Sequence, residues 1–420
     1  MEILNVFMSA SLSSFPYKLN NTSFLPTLRG KDMSIALANG QRLTLAQDKS
    51  QLTLQWQDGH QSEFLAVWLR DHCQMPESRD AHSGQRLMNV TDFPLDVTIE
   101  SVVQLDNENI EITFNPLHRS VFQLSWLEDN AYDKHLPTDI YSEQNKCLWD
   151  ASFNTEQSRF KYEHYLENNA IRSALFEHFA LYGFAILEDV PCQEGQILEV
   201  IKSFGYVRDT NYGKLFEVKT QVEPNNLAFT NLGLGLHADN PYRDPVPTVQ
   251  LLHCLENTVE GGESILGDGF KAAAILREES QANFDLLSQT WINFRFQDKD
   301  TDLQSRVPLI EVNDNDQIVK VRFNNRSIAP INIDKHKMKD FYRAYQHYAE
   351  ILTRQSIMID FKLEQGQLVM FDNTRVFHAR KAFSTSGSRW LQGAYADVDN
   401  IYSLQSVLSR PTQTTTSQAS

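Results

Sequence analysis

His237 and Asp239 stand two apart in Leu234-Gly-Leu-His237-Ala-Asp239-Asn-Pro-Tyr242, the only His-x-Asp in a chain with 12 histidines. Residues i and i+2 of a strand share a face, so a strand ending there can aim both side chains at one point. A second imidazole, His378, lies far downstream in Phe371-Asp-Asn-Thr-Arg-Val-Phe-His378-Ala-Arg380. Two imidazoles and one carboxylate on one face of a metal are the donor set of non-haem Fe(II) centres, which keep the remaining positions open for reactants. His237, Asp239 and His378 are therefore the candidate metal ligands and catalytic residues.

Arg389 follows in Ser386-Gly-Ser-Arg389-Trp-Leu-Gln-Gly-Ala-Tyr395. A guanidinium holds a distal carboxylate by a two-pronged fork. A ligand histidine followed by an arginine that leads into an apolar strand resembles the second half of a 2-oxoglutarate-dependent oxygenase site. The segments Leu251-Leu-His-Cys-Leu255, Gly261-Gly-Glu-Ser264, Gly267-Asp-Gly-Phe270, Val319-Lys-Val-Arg-Phe-Asn-Asn325, Phe371-Asp-Asn373 and Gly393-Ala-Tyr-Ala-Asp397 resemble γ-butyrobetaine dioxygenase and its relatives, within the taurine dioxygenase group. The likeness runs from about Ile35 to Ser409.

That resemblance implies a mainly β fold with flanking helices: a double-stranded β-helix (jelly-roll) catalytic domain plus a small N-terminal β-rich domain. It implies Fe(II) as cofactor, 2-oxoglutarate as co-substrate and ascorbate as a candidate reductant. By the same likeness Arg389 grips the far carboxylate of 2-oxoglutarate, with help from Ser264. The implied substrate is a small trimethylammonium compound, since quaternary amines are held by cation–π attraction in aromatic cages. The cage positions fall on Tyr212, Phe216, Phe229 and Tyr395, and the positions for the anionic end on Asn226 and Asn324. The expected reaction is hydroxylation of γ-butyrobetaine to L-carnitine, with release of succinate and CO2. Arg322 and Arg326 flank Asn324 and would suit a phosphonate, so 2-(trimethylamino)ethylphosphonate is a rival substrate, as is trimethyllysine. A small-molecule binder without catalysis is the remote alternative, against which all four residues of the iron and co-substrate set stand intact.

The elements that must position these residues are legible as patterns. A chain of 420 residues suggests two domains and a large core. Short alternating runs, Gln41 to Leu45, Leu52 to Trp56, Leu95 to Ile99 and Ile110 to Phe114, read as a β-rich domain over 33–130. A connector is expected over 131–150, and the catalytic domain over 151–410. Helical spacing marks Gln157 to Tyr182, Ile197 to Phe204, Asp268 to Arg277 and Lys335 to Arg354. Strands are expected at Gly183 to Leu187, Phe216 to Lys219, Asn226 to Thr230, Thr248 to His253, Met358 to Lys362 and Gln367 to Phe371. Residues 1–32 read as a flexible extension and 411–420 as a disordered tail.

Composition narrows the partners. The formal net charge of −16, without clustered Lys and Arg, argues against nucleic acid. No apolar run is long enough to span a membrane. The 4 cysteines, Cys73, Cys147, Cys192 and Cys254, are widely spaced and read as thiols of a cytoplasmic protein. The resemblance implies a homodimer and, in the family's N-terminal domain, a zinc held by three cysteines and a histidine. Here Cys73 and His118 match, but Met75 and Ser78 stand where the other thiols would be, so structural zinc is not expected.

Overall fold

The computed structural model describes residues 27–29, 34–133, 139–219, 232–384 and 386–410. The chain divides into two compact units, Met1–Thr138 and Asp139–Ser420.

The first unit is built from two four-stranded antiparallel sheets. One orders Ser34–Ala36, Arg42–Leu45, Gln51–Gln55 and Gln61–Leu65; the other orders Thr27–Arg29, Thr98–Gln104, Asn109–Asn115 and His118–Gln123. Alternation explains the core: Leu52, Leu54, Ile110, Ile112 and Phe114 point inward while their neighbours stay partly exposed. Thr27–Arg29, inside the expected extension, pairs with Thr98–Gln104; the rest of 1–32, and the tail 411–420, lie outside the described residues. Cys73 and His118 do meet, Nε2 lying 3.3 Å from Sγ in a direct hydrogen-bonding contact. The backbone carbonyl of Met75 is taken by the N–H groups of Ser78 and Arg79, which folds that loop on itself.

The second unit is a double-stranded β-helix. Its larger sheet orders Phe216–Val218, Arg389–Ala396, Val249–Asn257, Leu368–Asp372, Phe184–Glu188 and Arg159–Lys161; its smaller sheet orders Leu234–His237, Val376–Arg380, Ser264–Asp268 and Met358–Phe361. All pairings are antiparallel except that of Arg159–Lys161 with Phe184–Glu188. The near-continuous apolar runs follow from burial on both faces. In Phe184–Glu188, Phe184 and Ile186 enter the cluster between the sheets with Leu266, Ile359, Phe371 and Val376. Ala185 and Leu187 face outward against the helices Asn169–Tyr182, Gln196–Lys202 and Val398–Leu408. The helices Gly269–Glu279, Gln281–Gln289 and Met338–Ile351 cover the smaller sheet.

The expected connector is only partly one. Residues 139–150 belong to the second unit: Trp149 N–H donates to Asp268 Oδ2 at 3.1 Å, and Arg375 donates to Cys147 O at 2.9 Å. Arg375 and Asp268 are fully buried and paired at 2.9 Å, and Asp268 also caps the helix Gly269–Glu279. Removing one member of such a pair costs about 3–5 kcal/mol, because the other is left as an uncompensated buried charge.

Candidate iron and co-substrate site

The metal ligands come together through strand register. Leu234–His237 pairs antiparallel with Val376–Arg380 so that His237 lies directly opposite His378, ring centroids 4.2 Å apart. His237 Nδ1 sits 2.9 Å from Gly235 O, which assigns the ring proton to Nδ1 and leaves the Nε2 lone pair free. Beyond His237 the chain bends. Ala238 N–H donates to Phe323 O, and Asn240 takes a left-handed φ of 53°, a conformation asparagine tolerates better than most residues. Asn373 holds the bend from two sides: its Oδ1 accepts from Asp239 N at 2.7 Å, and its Nδ2 donates to Asp239 O and to Pro247 O, each at 2.9 Å.

Asp239 Oδ1 then lies 3.4 Å from His237 Nε2, and Oδ2 lies 4.0 Å from His378 Nε2. One donor atom from each of the three lies within 4.8 Å of the others. Two bonds of ~2.1 Å at right angles separate their donors by about 3 Å, so the three need only small inward shifts to hold one ion. Tyr395 Oη donates to Asp239 Oδ2 at 2.9 Å and orients the carboxylate. Burial alone would raise the Asp239 carboxyl, but the two imidazoles and the tyrosine hydroxyl bring it below the usual carboxylate range. Burial, helped by neighbouring His237, holds the His378 imidazole down at about 3. An anionic carboxylate and neutral imidazoles are the states a divalent ion requires.

Arg389 opens the strand Arg389–Ala396, opposite Asn257. Burial pushes its guanidinium down, its Nε is buried with no hydrogen-bond partner, and among the described residues it has no carboxylate partner. It lies over the Phe383 ring at 5.5 Å, with Arg380 over the same ring at 4.9 Å. A buried guanidinium in this state fits an incoming carboxylate. Gly261 and Gly262, both at positive φ, pack the preceding turn against it: a Cβ on Gly261 would meet Ala382 O at 2.6 Å, and one on Gly262 would sit 3.5 Å from Arg389 Nε. Ser264 opens the strand that follows that turn, opposite Arg380 in the register.

Of the aromatic positions, Tyr212, Phe216 and Tyr395 form one cluster. Phe216 stacks on Tyr395 with centroids 5.2 Å apart, and Tyr212 lies 6.4 Å from Phe216. Gly393 makes room for that stack, since a Cβ there would come within 2.2 Å of the Phe216 ring. Phe229 and Asn226, with the strand expected at Asn226 to Thr230, lie outside the described residues.

Asn324 lies against the ligand loop: one N–H of its Nδ2 donates to Ala238 O, its Oδ1 accepts from Arg326 N, and the second N–H has no partner among the described residues. Arg322 pairs with Glu311 at 2.8 Å. Arg326 makes no ion pair with a described residue, and its charge and that of Asp239 act on one another. Three further residues carry no chemical signal in the sequence: Asn373, within Phe371-Asp-Asn373; Tyr242, within the stretch around His237; and Phe296, whose nearness no local pattern announces.

An iron-type triad carried by the smaller sheet of a jelly roll and the loop after it, with a largely buried arginine on the larger sheet, defines an Fe(II)- and 2-oxoglutarate-dependent dioxygenase. Comparison with known proteins agrees. Residues 139–395 match the taurine catabolism dioxygenase TauD, TfdA family, and residues 43–128 match the γ-butyrobetaine hydroxylase-like N-terminal family. A γ-butyrobetaine dioxygenase of Pseudomonas sp. (strain AK-1) is 32% identical over 86% of this chain and 94% of its own. The γ-butyrobetaine dioxygenase of Homo sapiens is 28% identical over 84% and 93%, and the mitochondrial trimethyllysine dioxygenase of Rattus norvegicus is 26% identical over 82% of each. The chain belongs to the γ-butyrobetaine dioxygenase family within the TauD, TfdA dioxygenases. No helix among the described residues is long and apolar enough to cross a membrane.

Proposed function

We propose that this dioxygenase hydroxylates an unactivated C–H bond of a small trimethylammonium acid, with γ-butyrobetaine giving L-carnitine. Bound Fe(II) with 2-oxoglutarate supplies the oxidising chemistry, consuming O2 and releasing succinate and CO2. The protein's part is to fix which C–H is presented. His237, Asp239 and His378 would hold the metal, and Arg389, with help from Ser264, the far carboxylate of the co-substrate.

The observation that carries the substrate class is the position of Tyr395. Its hydroxyl is on the metal-ligand carboxylate and its ring is in the aromatic cluster, so a cation against Phe216 and Tyr212 would sit one small molecule's length from the metal. The names of the γ-butyrobetaine dioxygenase relatives support the same reading.

One observation favours a second substrate. Arg326 has no ion-pair partner among the described residues, and a phosphonate, with more charge than a carboxylate, would gain more from it. The names of the trimethyllysine dioxygenase relatives support a third. Succinate release measured with γ-butyrobetaine, 2-(trimethylamino)ethylphosphonate and trimethyllysine separates them. The highest kcat/KM is expected for γ-butyrobetaine, and no turnover with any of the three would overturn the aromatic-site reading. A cytoplasmic homodimer acting on a small molecule completes the proposal; light scattering in solution tests the dimer.

A further inference from the structure

The aromatic cluster has a second layer that the sequence comparison does not assign. Asn240 directly follows the ligand Asp239 in the chain, is buried, and accepts a 2.7 Å hydrogen bond on Oδ1 from Tyr242 Oη. Because Tyr242 donates there, its oxygen is free to accept, and Tyr212 Oη lies 3.3 Å away. Phe296 stacks on Tyr242 at 5.2 Å with planes 25° apart, and its ring is 6.0 Å from Tyr212. Phe296 comes from the hairpin of Ile292–Gln297 and Asp302–Val307, whose Ser305 Oγ donates to Pro241 O at 2.6 Å. The hairpin is thus fastened to the ligand loop at Pro241 by a hydrogen bond and at Tyr242 by a ring stack.

We propose that Tyr242 is a positioning residue for the amine substrate: through the chain Tyr212–Tyr242–Asn240, backed by Phe296, it ties the Tyr212 wall of the cation site to the loop that carries Asp239. The inference rests on the trimethylammonium reading of the site. Its consequence is geometric. The metal and the wall that receives the cation move as one body, so the distance from the cation to the reacting C–H is set by the protein and does not drift with the Tyr212 loop. The Tyr212 turn, closed by Thr210 and Gly213, also meets this loop where Asn211 Oδ1 accepts from Arg243, but that contact holds the turn's backbone, and of this loop only Tyr242 reaches the Tyr212 side chain.

The test is steady-state turnover of the Fe(II)-loaded full chain with γ-butyrobetaine, comparing wild type, Tyr242→Phe and Phe296→Leu. Tyr242→Phe keeps the ring stack and removes one hydroxyl, a change expected to raise the amine KM about three- to tenfold. The KM for 2-oxoglutarate, the iron affinity and the melting temperature should stay near wild type, while hydroxylated product per succinate falls as the substrate is held less well. Phe296→Leu should show the same split, and it carries the test if Tyr242→Phe does not fold. An unchanged amine KM and unchanged coupling in a folded variant would overturn the proposal, as would equal losses in both co-substrate and amine KM, which mark a purely structural role. Wild type that turns over no trimethylammonium compound removes the substrate reading and this inference with it, an outcome distinct from active wild type with an indifferent variant.

Discussion

Tyr395 Oη donates to Asp239 Oδ2 at 2.9 Å, so a residue expected to be only a wall of the cation site is also a support of the metal carboxylate. Partners of this kind typically contribute 10- to 100-fold to metal affinity or activity. Tyr395→Phe keeps the ring against Phe216 and should weaken Fe(II) binding by about that factor while moving the amine KM little. Metal titration beside steady-state kinetics separates the two. A raised amine KM with unaltered iron affinity would return Tyr395 to a wall role alone.

Gly393 tests the wall from the other side. Its place opposite Phe216 in the paired strands leaves no space for a Cβ, which would lie within 2.2 Å of the ring. Gly393→Ala should displace the Phe216 ring and raise the amine KM severalfold, with 2-oxoglutarate binding preserved. An unaffected amine KM would mean that Phe216 does not meet the substrate.

Arg326 should read the acid end of the substrate. A hydrogen bond to a charged group contributes about 1.5–3 kcal/mol, so Arg326→Ala should lower kcat/KM on acid-terminated amines by about tenfold or more. A neutral trimethylammonium alcohol should be affected much less. Equal losses on both would show that the guanidinium supports the fold and not the substrate.

Besides His378, two histidines remote from the metal ligands, His253 buried and His178 partly buried, add to the acid limit on stability. Burial holds the His178 imidazole down at about 4, and burial also brings His253 to about 4 against a weak opposing contact with the Val190 backbone. Below the ordinary value of 6.5 the unfolded chain takes up protons that the fold refuses, so stability is full above that value and falls as pH drops toward 4. Denaturant midpoints measured between pH 7 and pH 5 should decline, and the double change His178→Phe with His253→Leu should make the decline shallower, leaving the share that His378 contributes. An equally steep decline in that double variant would place the acid sensitivity in other groups.

Much of the fold is legible because burial writes itself into the residue pattern. The alternation of Gln51–Gln55 and the helical spacing of Phe341, Ala344, Tyr348 and Ile351 both report one buried face. The candidate ligands are legible because the His-x-Asp at His237 and Asp239 is joined downstream by His378 and Arg389, residue types that fit one chemistry together. What local pattern does not carry is pairing at long range. The register that sets His237 opposite His378 joins distant strands, and the hairpin that brings Phe296 to Tyr242 is separated from it by two strands and two helices. Asn324 shows what residue type alone does not carry: one N–H of its amide braces the ligand loop at Ala238 O, a contact between residues 86 apart in the chain.

His237, Asp239 and His378 are expected to hold one iron whose oxidising chemistry falls on a trimethylammonium acid. Measuring succinate and hydroxylated γ-butyrobetaine together, with and without added Fe(II), in wild type and in Asp239→Ala, tests it most directly. Equal amounts of both products in wild type, dependent on iron and lost in the folded variant, are the expected result. Undiminished turnover in Asp239→Ala, or succinate formed while γ-butyrobetaine and its phosphonate analogue stay intact, would contradict the account.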